Sequence, residues 1–160
     1  MPAVFINYRT VDEIVTAILL DRELSRRFGS DQIFLSGKSI RPGTRWESAL
    51  QEAVRCSGAL VAVIGQRWLA APDRHGGRAL DNPNDWTRRE IVEALAGDVP
   101  VIPVLVGATP RLDESDLPEA LAPLAATQYL RLDLHDVDGC LARLTAAVVE
   151  AVPELGNLAP

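Results

Sequence analysis

Cysteine, histidine and lysine are nearly absent from this chain: it has two cysteines, two histidines and, among sixteen Lys and Arg residues, the single lysine Lys38. Cys56 and Cys140 stand far apart, outside any CxxC or Cys/His cluster, so they build neither a disulfide framework nor a zinc site. His75 and His135 stand alone, without a Ser or Cys in a recognisable nucleophile setting, which leaves triad chemistry without support. Apart from Lys38 every cation is an arginine, so anion recognition rests mainly on the residue suited to bidentate contact with phosphate and carboxylate.

Other absences narrow the class further. No apolar run approaches a membrane span, and Met1 is followed by a strand-like segment rather than a basic region and signal core, so the expected address is cytoplasmic with no membrane partner. The formal charge of −6 argues against a protein that coats nucleic acid, because such binding draws on neutralised phosphates. "GKS" at Gly37 to Ser39 lacks the earlier glycine of a phosphate loop, since Gln32 occupies that place, and no GxGxxG occurs. Neither repeats nor low-complexity tracts are present. "DLHDVD", Asp133 to Asp138, sits where a strand must turn into a helix, which points to capping rather than metal binding.

What is present is a folded α/β pattern. At 160 residues with 48% hydrophobic content the chain fits one domain, expected over 1–152, with 153–160 as a frayed tail or linker start. "AVFINY" and "QIFL" read as strands, as do "ALVAVIG", "VPVIPVLVG" and "QYLRL". The two prolines of the fourth strand mark its start and a bulge or edge. Between strands, Val11, Ile14, Val15, Ile18, Leu19 and Phe28 take up helical spacing, as do Trp46, Ala49, Leu50, Ala53 and Val54. "LPEALAPLA" fits a short helix, and Val137, Leu141, Leu144 and Val148 mark a closing one. Five strands alternating with helices imply a five-stranded, mostly parallel sheet with helices on both faces, and ligands beyond the carboxyl ends of the strands.

One segment stands out, "DNPNDWTRREIVEAL", Asp81 to Leu95. Either Asn82 or Asp85 caps its helix. Ile91, Ala94 and Leu95 face the core, leaving Trp86 and Glu90 beside it. No cation lies three or four residues from Glu90, and like charge from Glu93 with partial shielding by the indole would raise its pKa if it faces a cleft. The alternative is a solvated glutamate whose tryptophan covers the core edge.

Five segments in order, "VFINYR", "FGSDQIFLSGKSIRPGTRWESAL", "SGALVAVIGQRW", "DWTRREIVEAL" and "VIPVLV", resemble a bacterial Toll/interleukin-1 receptor (TIR) domain, over most of the chain to about Leu132. The resemblance implies a flavodoxin-like three-layer fold. It also implies cleavage of NAD+, as substrate and without cofactor or metal, to nicotinamide and linear or cyclic ADP-ribose, although other members are non-catalytic adaptors. The WxxxE-like motif falls on Trp86 and Glu90, making Glu90 the implied catalytic residue and Trp86 a ligand-stacking wall. Arg9 and Thr10 would face phosphates or ribose. The BB loop, Ser36 to Arg45, would close over the ligand, with Lys38 and Arg41 as diphosphate contacts. Trp46 is expected to pack the second helix on the sheet, or else to line the cleft. Ser36 stands where many members carry an acid, and Arg45 near where some carry an aromatic. Implied partners are other TIR domains, engaged head to tail in a self-assembly that involves the BB loop, and possible sensor modules. A role in bacterial defence is the implied setting.

Overall fold

The computed structural model describes residues 3–37, 43 and 45–158. Five strands, β1 (Val4–Asn7), β2 (Ile33–Leu35), β3 (Ala59–Ile64), β4 (Val101–Val106) and β5 (Leu130–Leu132), pair in the order β2-β1-β3-β4-β5. All four pairings are parallel. Parallel neighbours require crossovers, and α1 (Thr10–Phe28), α2 (Trp46–Arg55), α3 (Trp86–Ala96) and α4 (Val137–Ala151) supply helices on both faces.

The strands are apolar almost throughout because each face is covered. Val4 and Ile6 of β1 join Val61 and Val63 of β3 under Ala17, Leu20 and Leu24 of α1 and Leu144 and Val148 of α4. Phe5, Leu60, Ala62 and Ile64 point the other way, onto Leu50 and Val54 of α2, Ile91 and Ala94 of α3, and Leu121. Leu121 belongs to a 3-10 helix, Glu119–Ala126, with Pro123 inside it; this is the short helix expected there, in its tighter form. Pro103 lies inside β4, opposite Ala62, whereas β5 pairs with β4 only from Val104 onward, so that part of β4 has one neighbour and its proline costs no bond to β5.

Three expectations change. Of the apolar positions that mark α1, Val11, Ile14, Val15 and Ile18 are exposed, while the helix buries Ala17, Leu20, Leu24 and Phe28. The helix carries two apolar faces, and the sheet takes the one that reaches furthest along it. Trp46 is 46% exposed at the first position of α2, and only Leu50, Ala53 and Val54 of that helix are buried. The expected frayed end is a 3-10 helix, Pro153–Asn157, whose Leu155 is buried in the core with α4.

The chain turns outward from β1 to β2 and then returns to β3, so the switch in winding direction falls between β1 and β3. In open α/β sheets a crevice for ligands opens at that place, beyond the carboxyl ends.

Candidate functional site

Helix α3 meets the end of β1 at this crevice, and three consecutive residues of the strand end grip its first turns. Asp85 is the N-cap, accepting from the Arg88 amide at 3.0 Å, which decides between the two cap candidates. Its carboxylate also receives both terminal nitrogens of Arg9, at 2.9 and 2.7 Å. Two residues on, the Thr87 hydroxyl donates to the Tyr8 carbonyl at 3.2 Å. The Asn7 side-chain amide donates to the Thr87 carbonyl at 3.1 Å and to Glu90 Oε1 at 2.8 Å. Glu90 Oε2 accepts the Ser36 hydroxyl at 2.7 Å from the end of β2, and Tyr8 donates its hydroxyl to the Ser36 carbonyl at 3.0 Å.

Glu90 thus lies in the protein rather than beside the core, with 3% of its surface exposed. Its donors are neutral, and among the described residues no hydrogen bond or ion pair joins it to a cation. Burial raises its pKa from 4.5 to about 7; the bonds from Ser36 and Asn7 oppose that rise, and the Asp85 charge adds to it. Glu93, the neighbour expected to do this, is paired with Arg55 of α2 instead. Tyr8 is raised as well, by burial first and by the Glu90 charge second.

A cavity of about 330 Å³ opens on Glu90, lined among others by Tyr8, Thr10, Ser36, Pro72 and Trp86. A larger one of about 920 Å³ lies alongside and shares Arg9, Pro72, Trp86 and Thr87 with it. Its aromatic wall is layered: the Arg89 guanidinium lies 4.0 Å from the Trp86 ring, and Trp46 meets Trp86 at 4.4 Å with planes tilted by 54°. Arg89 therefore serves the tryptophan, not Glu93.

The expected site residues are only partly brought together. Glu90, Ser36, Thr10 and Trp86 share the smaller cavity. Trp46 lines the larger one and does not pack on the sheet, because its ring lies over Trp86 at the rim. Arg9 borders both cavities, but its guanidinium is committed to Asp85. Lys38 and Arg41 lie outside the described residues. Asn7 was not singled out by sequence reasoning; the available signal was one amide at the end of an otherwise apolar strand, where a buried polar group must find partners.

A doubly wound parallel sheet with one buried carboxylate at its switch point defines the class. The sequence matches the family model described as "TIR domain" over residues 4–145, and the chain belongs to that family. Among solved structures it is similar to the TIR domains of the activated Roq1 resistosome that recognises the pathogen effector XopQ, with TM-score 0.64, 16% identity, and coverage of 91% of this chain and 98% of that one. It is also similar to the TIR domain of the Toll-related receptor TRR-2 from Hydra magnipapillata, with TM-score 0.61, 19% identity, and coverage of 92% and 98%. A prokaryotic SEFIR domain follows with TM-score 0.58, 16% identity, and coverage of 92% and 99%. At these identities the likeness is one of fold. Comparison with curated proteins gives no match.

Proposed function

We propose that this TIR domain cleaves NAD+ at the nicotinamide–ribose bond, with Glu90 as the catalytic residue. The observation that carries the reading is a buried carboxylate facing a cavity, held by neutral donors, with a pKa raised to about 7. A carboxylate neutralised by arginine would have little field left for a ligand; this one keeps its charge for whatever enters. Nicotinamide in NAD+ is already cationic and departs without a proton, so a second carboxyl acid is not required as it is in ordinary glycosidases. Ionised Glu90 stabilises the positive charge that develops on the ribose carbon and orients the acceptor, either water or a nitrogen of the adenine. Thr10 and Ser36 border the ribose, Trp86 and Trp46 wall the cleft, and the larger cavity has room for the rest of the dinucleotide. Lys38 and Arg41 are assigned to the diphosphate. In this reading the protein is a cytoplasmic effector of bacterial defence, activated by self-assembly. Concentrated protein incubated with NAD+ should release nicotinamide, and Glu90→Gln should release far less; silent wild-type protein, or equal release from both, sinks the reading.

One observation favours a second reading, a TIR module that docks other TIR domains without chemistry. Val11, Ile14, Val15 and Ile18 form an exposed apolar stripe on α1, with Val15 77% exposed. Sedimentation would distinguish it: self-association lost in Val15→Glu, with no nicotinamide released by any assembly, supports docking alone.

A further inference from the structure

The two donors that hold Glu90 differ in character. Ser36 sits at the cavity, where its hydroxyl turns about a single bond and can yield its place. Asn7 is wholly buried and does not line that cavity. Both of its amide hydrogens are used, one on Glu90 and one on the Thr87 carbonyl, and its Oδ1 has no hydrogen-bond partner among the described residues. Turning the amide over would set that oxygen against two acceptors, so the orientation is fixed. An unsatisfied buried oxygen is a standing cost that an apolar residue at the end of β1 would avoid. What the cost secures is a rigid link from the strand to the carboxylate.

We propose that Asn7 is a positioning residue: from β1 it fixes Oε1 of Glu90 together with the first turn of α3. Oε2, held by the exchangeable Ser36 hydroxyl, is then the oxygen that meets a ligand hydroxyl. The ligand's class, a ribosyl compound with vicinal hydroxyls, rests on the functional reading above; the role of Asn7 does not. Among the described residues, the other ionisable groups around the carboxylate are Tyr8 and Asp85, with Arg9 occupied by Asp85.

The test is an NMR titration of the full chain, following the Glu90 carboxyl carbon and the Asn7 side-chain amide. In wild type both signals should move with one midpoint near 7. Asn7→Ala should raise the Glu90 midpoint by about one unit, since a donor to the charged form is lost, and Asn7→Asp by more, through like charge. A wild-type Asn7 amide indifferent to the Glu90 titration overturns the proposal, whether or not the variants fold. So does an unchanged Glu90 midpoint in folded Asn7→Ala. In turnover, Asn7→Ala should lower kcat about tenfold or more with KM little changed, while Ser36→Ala loses less because the ligand hydroxyl fills its place. Neither titration requires catalysis, so a wild-type protein without NAD+ cleavage would remove the functional reading and leave the Asn7 result standing.

Discussion

Two acid-bearing seams flank the sheet's switch point, and they treat their carboxylates in opposite ways. At the β3–α1 seam, Asp12 accepts the backbone amides of Gly65 and Arg67 at 2.7 and 2.9 Å. A Cβ on Gly65 would strike the Asp12 and Glu13 side chains at 2.4 to 2.8 Å and push them aside, so glycine lets Asp12 approach this closely. At the β1–α3 seam, Glu90 takes only side-chain donors among the described residues, one of them at a cavity. Both seams have a cavity nearby, for Asp12 lines one of about 410 Å³. An acid beside a cavity is therefore not enough to mark a site. What separates the two is whether the acid's partners can be exchanged: main-chain amides cannot leave, but a serine hydroxyl can.

The sharpest way to break this contrast is Glu90→Gln. Nicotinamide release should fall by at least about a hundredfold, the scale of losing one electrostatic stabiliser. In wild type, release should rise with pH through a midpoint near 7, as the active anion forms. Stability should run the other way. Because the folded pKa lies above the unfolded one, the native state binds more protons, and stability declines as pH rises from 4.5 to about 7. Glu90→Gln escapes that decline: its oxygen still accepts from Asn7 and its amide can donate to Ser36. In denaturant titrations at pH 8 it should exceed wild type by up to about 3 kcal/mol, with the gap closing toward pH 5.

A comparable loss of stability, without a gain at any pH, is expected from Asp85→Ala. It strands the Arg9 guanidinium, almost buried, and removes the α3 cap, at a cost of about 3 kcal/mol in chemical denaturation. At the other seam, Asp12→Ala should cost about 1–2 kcal/mol through its two orphaned amides, while leaving the Glu90 midpoint in place. If Asp12→Ala moved that midpoint, the seams would not be independent. The smallest effect belongs to Trp46→Ala: about 1 kcal/mol or less, since the ring is half-exposed and packs on Trp86 at the rim.

Most of the fold was legible because strands covered on both faces must be apolar and helices must show their period. β3, "ALVAVI", admits little else. The inward face of α1 was not legible, since Val15 and Leu20 are equally apolar and only the position of the sheet decides between them. At the site, the spacing of Trp86 and Glu90 was readable, and the family resemblance gave it meaning. The hydrogen bonds around Glu90 were not readable, because Asn7 and Ser36 lie 83 and 54 residues from it and meet it only once β1 and β2 are paired. Arg9 was expected at phosphates or ribose from the family resemblance; its actual partner, Asp85, lies 76 residues away.

The layered indoles at the cavity rim have an optical consequence. Two of the three tryptophans, Trp46 and Trp86, lie 4.4 Å apart at a 54° tilt, and the third, Trp68, is fully buried. Rings so close and so inclined couple their strong indole transitions, so the pair should give a split far-ultraviolet circular dichroism band. That band would collapse when a ligand parts the rings, and with Trp68→Phe the remaining emission would come from the rim alone. The chain thus carries its own gauge of the separation of these rings, readable without any added dye.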